Sequence, residues 1–157
     1  MQQILATMAQ KRIAVTSTLC VYPPTNRGTP HDTTWDRAGF TKLQEFAFEF
    51  HRGGGQVLVA TDGACDLRTE LDLLKAAGFT NQQLLSMATI EAARVVGRGR
   101  ELGSVAPGKI ADLVLVDGNP LVDLGDLRKI KAVMKDGMLF TNLDSLKAEK
   151  PLLTSKF

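Results

Sequence analysis

Long apolar runs are missing from this sequence. No stretch approaches the roughly 18 residues that a membrane-spanning helix needs, and Gln10, Lys11 and Arg12 break up the hydrophobic N-terminal segment. Neither a spanning helix nor a secretory leader is therefore expected, and no membrane partner. An excess of one charge is missing too: 19 basic residues stand against 17 acidic ones, a formal net charge of +2 scattered along the chain. No concentrated patch exists to neutralise phosphates, so nucleic acid is not an expected partner. Cysteine is scarce. Cys20 and Cys65 can form at most one disulfide, and neither belongs to a close pair of the zinc-binding kind. Small buried thiols in a reduced, cytoplasmic protein are the default expectation. Histidine is equally scarce, with His31 and His51 twenty positions apart and no His-x-His or His-Glu-x-x-His around either. Internal repeats and low-complexity tracts are absent.

What is present is a chain of 157 residues, 44% hydrophobic and 23% charged. That suits one globular domain with a real core, or one and a half small ones. A complete (β/α)₈ barrel of about 250 residues does not fit. Ile13 to Thr18 reads as a short buried strand. Pro23, Pro24, Asn26, Gly28 and Pro30 then deny the backbone both helix and ladder from Cys20 to Thr34. Leu43, Phe46, Ala47 and Phe50 follow at i, i+3, i+4 and i+7, predicting a helix with Thr41 as a candidate N-cap and Gly53 as its stop. The glycines 53 to 55 release the chain into a compact apolar run, Gln56 to Thr61, whose length and β-branching favour a second buried strand. Strand, helix and strand make one parallel βαβ unit.

Leu67, Leu71 and Leu74 predict another helix stopped by Gly78. Thr80 with Gln83 looks like a capping box, and Thr89 is a candidate cap for a further helix ending at Gly97. The character then changes. Ala106-Pro107-Gly108-Lys109 has Pro and Gly where a type II turn requires them, Ile110 to Val116 reads as a strand, and Asp136-Gly137 between Ile130 to Lys135 and Met138 to Thr141 is a strong hairpin signal. Residues 1–100 are thus expected to be α/β, 101–142 a small antiparallel β unit and 143–157 a polar, loosely held tail.

Asp62 is the position to single out for chemistry. It follows a buried parallel strand at its carboxyl end, where α/β proteins gather ligands. A carboxylate there can ligate a metal ion, or take a proton from water whose pKa a metal has lowered. Asp-Gly after a strand is also an ordinary turn, and both readings stay open. His31, in the long loop, is either a substrate contact or a solvated loop residue. His51, beside Gly53, reads as a helix C-terminal cation favoured by the macrodipole. Gly53-Gly54-Gly55 precedes a strand, whereas a phosphate-cradling loop follows one, so it reads as a connector.

Taken together, Leu102-Gly103-Ser104-Val105-Ala106-Pro107-Gly108-Lys109-Ile110-Ala111-Asp112, continuing to Pro120, resembles the return from barrel to small β-sandwich in the metal-dependent amidohydrolase superfamily, especially its imidazolonepropionase-like members. Val133 to Gly137 resembles the closing hairpin of that sandwich. Ala60-Thr61-Asp62-Gly63 is similar to the end of the eighth barrel strand, Ala88-Thr89-Ile90 with Ala93-Arg94 to the helical stretch after it, and Ile13 to Leu19 to the seventh strand. The resemblance implies an α/β fold: a partial (β/α)₈ TIM barrel, its last two strands and helices, plus a small β-sandwich segment. It also implies a hydrolase acting on carbon-nitrogen bonds outside ordinary peptides, with a small-molecule amide or cyclic amide as substrate. By its place in the motif, Asp62 would be both metal ligand and proton acceptor for the attacking water, with a divalent cation, zinc above all, as cofactor. The histidines that the family carries on its earlier strands have no counterpart here. One carboxylate cannot hold zinc. The expectation is a shortened gene product, an expression fragment or one piece of a split enzyme, inactive alone. It would pair with a complementary chain, or with itself.

Overall fold

The computed structural model of the protein describes residues 2–21, 34–61 and 65–141. The chain opens with helix α1 (Gln2–Gln10), which the sequence reading did not anticipate, and which buries Leu5. Arg12, in the left-handed region at φ 53°, turns it into β1 (Ala14–Thr16). The expected strand is shorter than predicted, and Ile13 is outside it and exposed. After a 3₁₀ turn (Leu19–Val21), α2 (Thr34–Arg52) leads to β2 (Gln56–Leu58). The two strands pair in parallel, Val15 opposite Val57 and Thr16 opposite Leu58. The expected βαβ order is present.

Helix α2 begins seven residues before Thr41, so that threonine is not its cap; its hydroxyl donates instead to the Arg37 carbonyl inside the helix. The buried stripe is Phe40, Ala47 and Phe50, while Leu43 faces outward. The stripe is shifted because the helix extends farther back and Phe40, one turn earlier, takes the inward position. The three glycines connect as expected, with Gly55 donating to the Phe50 carbonyl. Gly55 is required there by close approach, since a Cβ would collide with the Phe50 ring.

Helix α3 (Leu67–Ala76) starts on Asp66, whose carboxylate accepts from the Thr69 amide. Leu71 and Leu74 are buried and Leu67 is not. Thr80 and Gln83 form the anticipated capping box at the start of α4 (Asn81–Ser86). From there the chain runs on through a π-helical stretch (Met87–Glu91) into α5 (Ala92–Val95) without a break. Thr89 caps nothing. Its hydroxyl bonds back to the Leu85 carbonyl, as a threonine inside a helix does. Phe50, Val57, Leu71, Leu74, Phe79, Leu84, Met87 and Leu124 form one core between the helices and β2.

The last described part is a three-stranded antiparallel sheet, β3 (Leu113–Val116), β4 (Ile130–Lys135) and β5 (Met138–Phe140), in the order β3-β4-β5. Lys109 donates to the Ala106 carbonyl in the predicted turn. The β4–β5 hairpin turns on Asp136 and Gly137, at φ 49° and 80°, the pair of positive angles that an Asp-Gly type I′ turn demands. A 3₁₀ turn (Leu124–Arg128) ties this sheet to α3 through buried Leu124. Val114, Leu115, Met138 and Leu139 are each more than 60% exposed, so the sheet presents apolar side chains to solvent. Among the described residues no helix is long and apolar enough to cross a membrane.

Candidate functional site

The carboxyl ends of β1 and β2 lie side by side, because parallel strands in register must finish together. Ser17 continues the pairing past β1: its amide donates to the Leu58 carbonyl at 3.0 Å and its hydroxyl to the same oxygen at 3.2 Å. The chain then tightens into the turn Leu19–Val21. Two of its amides point at a single side chain on α3, with Leu19 N–H donating to Glu70 Oε1 at 2.9 Å and Cys20 N–H to Glu70 Oε2 at 2.8 Å. Glu70 is fully buried. Its carboxylate satisfies backbone donors that would otherwise be orphaned in the interior.

Cys20 and Cys65 are joined in a disulfide, with Cα atoms 6.1 Å apart. This corrects the expectation of two separate buried thiols. Cys20 follows β1 and Cys65 follows β2, so strand pairing brings both cysteines to one rim at a separation a disulfide spans. A sequence separation of 45 residues hides that proximity. Asp66, next to Cys65, has its carboxyl held below the usual carboxylate range by the Thr69 amide and then by the Thr69 hydroxyl.

Asp62 and His31, the two candidate site residues, lie outside the described residues. His51 stands in the last turn of α2 as expected, with the Gln83 side-chain nitrogen 3.2 Å from its Nε2 and the Phe79 ring 5.2 Å away. It packs as a structural residue. Cys20, Cys65 and Glu70 are the one cluster of metal-ligating residue types among the described residues. They do not suit an ion: the two sulfurs are bonded to each other, and both Glu70 oxygens are engaged by amides. Glu70 was missed in the sequence. The available signal was its place in the stripe Leu67, Glu70, Leu71, Leu74, where a carboxylate interrupts an apolar helix face.

A concavity of about 580 Å³ opens between the helices and the antiparallel sheet, lined by Leu71, Leu85, Ala88, Val114 and Leu127 together with Arg68. Arg68 Nε donates to Asp72 at 2.8 Å, whereas its Nη1 is buried and finds no acceptor among the described residues. Among the described residues this apolar cleft thus holds one guanidinium N–H without an acceptor.

Parallel strands with their helices, followed by a small antiparallel sheet, define an α/β chain. Residues 48–139, more than half of the sequence, match the sequence profile of the amidohydrolase family, and the chain belongs to that family. It is 56% identical over 41 residues to a 5-methylthioadenosine/S-adenosylhomocysteine deaminase of Symbiobacterium thermophilum, a stretch covering 26% of this chain and 9% of that protein. It is 36% identical over 64 residues to an imidazolonepropionase of Shouchella clausii, covering 39% and 14%. In fold it is similar to a solved Xaa-Pro dipeptidase with bound methionine, with a TM-score of 0.75 and 21% identity over 89% of this chain and 37% of that one. The chain therefore spans little more than a third of that solved relative, and the matched stretches are a smaller share still of the curated ones.

Proposed function

We propose that this chain is the carboxyl-terminal part of a metal-dependent amidohydrolase, with residues 1–100 supplying the last two strands and helices of a (β/α)₈ barrel, 101–142 a segment of a composite β-sandwich, and 143–157 a polar tail. The observation that carries this reading is the parallel β1–β2 pair inside a chain that the family profile covers from residue 48 to 139, with Ala60-Thr61-Asp62-Gly63 coming one residue after β2 in the sequence. The reaction is hydrolysis of a carbon-nitrogen bond outside ordinary peptides, in a small-molecule amide or cyclic amide. The deaminase and imidazolonepropionase names of the relatives support that substrate class. A divalent metal, zinc in the first instance, would polarise the substrate and acidify water when bound. Asp62 contributes one carboxylate to that ion and accepts the proton of the attacking water. His31 contacts substrate. The histidine ligands come from polypeptide outside this sequence.

Reassembly with a complementary polypeptide carrying the first six strands is the test. Zinc-dependent hydrolysis should appear, and Asp62→Asn should lower it by roughly 10²- to 10⁴-fold, the range for loss of a positioned proton acceptor. Equal turnover with asparagine at that position contradicts the assignment.

A second reading rests on three features of the described residues: the apolar cleft, the buried Nη1 of Arg68 that finds no acceptor among them, and the exposed apolar sheet. In it the chain is a noncatalytic association module for a complementary chain or a second copy. Assembly of the two polypeptides without any turnover favours this reading over the first.

A further inference from the structure

Three ligating side chains from two elements meet beside the carboxyl ends of the parallel strands. Cys20 lies in the 3₁₀ turn after β1, Cys65 just before α3 and Glu70 in the first turn of that helix, and their ligating atoms all lie within 4.8 Å of one another. Glu70 is a fully buried carboxylate whose hydrogen-bond partners among the described residues are two neutral amides, those of Leu19 and Cys20 at 2.9 and 2.8 Å. The amides fix its orientation but bring no positive charge to it. Each of its oxygens accepts one N–H and keeps a further lone pair, and carboxylates that ligate metals are ordinarily held by hydrogen bonds in this way. While the disulfide stands, neither sulfur is a thiolate, and the cluster is closed to an ion.

We propose that the reduced chain binds one thiophilic divalent cation of the zinc and cadmium class between the sulfurs of Cys20 and Cys65 and an oxygen of Glu70, and that oxidation to the disulfide expels it. The reductant is a dithiol. Its first thiolate attacks one sulfur to form a mixed disulfide, its second displaces the protein sulfur, and it leaves as its own disulfide, having passed two electrons and two protons to the protein. The cation then replaces the two thiol protons, which go to solvent. A disulfide oxidant reverses the balance: it takes back two electrons, gains two protons as it becomes a dithiol, and the cation departs. Two metal–sulfur bonds of about 2.3 Å at a tetrahedral angle hold sulfurs about 3.8 Å apart, a span open to side chains whose Cα atoms are 6.1 Å apart. Cys65 is partly exposed, so the fourth tetrahedral position faces solvent on its side. None of these residues belongs to the proposed catalytic centre, and the site stands whether or not Asp62 is a ligand.

Cadmium chloride titrated anaerobically into the intact 157-residue protein, after reduction and removal of the reductant by gel filtration, tests the site. Reduced protein should take up one cadmium per chain, with thiolate-to-cadmium charge-transfer absorption in the ultraviolet and release of about two protons. Oxidised protein should show neither. Cys20→Ser and Cys65→Ser lack the disulfide just as the reduced wild type does, so each differs from it in one ligand alone. Each should bind at least about a hundredfold more weakly with the absorption lowered, and Glu70→Gln at least about tenfold more weakly with the absorption per bound ion kept. Far-ultraviolet circular dichroism establishes that each variant is folded; if Glu70→Gln is not, the two serine variants decide. Four outcomes overturn the proposal: no uptake by the reduced chain, equal uptake by the oxidised chain, full affinity in both serine variants, or full affinity in folded Glu70→Gln. Turnover does not enter this readout, so failure of the site and failure of the Asp62 assignment are distinguishable.

Discussion

Glu70 is a carboxylate set in an apolar helix face, and what makes it tolerable there is two amides supplied from 50 and 51 positions upstream. Replacing it with alanine leaves the Leu19 and Cys20 N–H groups buried without acceptors. Glu70→Ala should therefore cost about 2 to 5 kcal/mol in urea unfolding, and a loss below about 0.5 kcal/mol would show that the turn finds other partners. The one mark the sequence carries is a carboxylate interrupting an apolar helix face, and that mark names no partner. A glutamate at i+3 from Leu67 reads as one more solvated side chain until the strand that brings Leu19 and Cys20 alongside is known. The disulfide was hidden for the same reason, since the proximity of Cys20 and Cys65 follows from the parallel pairing of β1 with β2 and from nothing local to either cysteine. Leu43 and Leu67 fit the periodicity of an inward stripe, yet both are exposed.

Elements whose chemistry is complete within four residues were legible, and elements that depend on distant packing were not. The Thr80–Gln83 capping box, the turn at Pro107-Gly108 and the Asp136-Gly137 hairpin all carry their own hydrogen bonds or backbone angles. The start of α2 at Thr34, helix α1, and the unbroken run through the π-helical stretch carry no comparable mark. The antiparallel sheet has an electrostatic tie that sets its pH response. Asp112, just before β3, accepts from the Asp136 amide at 2.8 Å and from Lys135 Nζ at 2.7 Å, which together hold its carboxyl below the usual range. The Asp112 hydrogen bond in turn holds Lys135 above the usual lysine value. A depressed carboxylate contributes stability that is full above its unfolded pKa and is lost as pH falls through the folded one. A raised lysine contributes below its unfolded pKa and loses its contribution as pH rises through the folded one. Thermal melts should therefore show a plateau across neutral pH, with falling limbs below the carboxylate range and above the lysine range. Asp112→Asn should flatten both; an unchanged acid limb would mean that the tie carries no weight.

At the scale of the whole molecule, the chain covers 37% of a solved relative in its own fold, and its described residues leave an apolar sheet face and a cleft of about 580 Å³ uncovered. Among the described residues the core is real but one-sided: β2 is packed by α2 and the π-helical stretch, while Val114, Leu115, Met138 and Leu139 are exposed. The sequence disclosed the family through the motif around Pro107 and Gly108, since that stretch is fixed by turn chemistry. It left the catalytic centre open because one aspartate defines no geometry. In the proposed function this chain brings a single ligand to a metal site completed elsewhere. Equilibrium dialysis of zinc against the oxidised 157-residue protein tests that most directly. No tight stoichiometric binding is predicted for the chain alone, with binding that depends on Asp62 appearing once the complementary polypeptide is added. One zinc held tightly by the chain by itself would contradict the account.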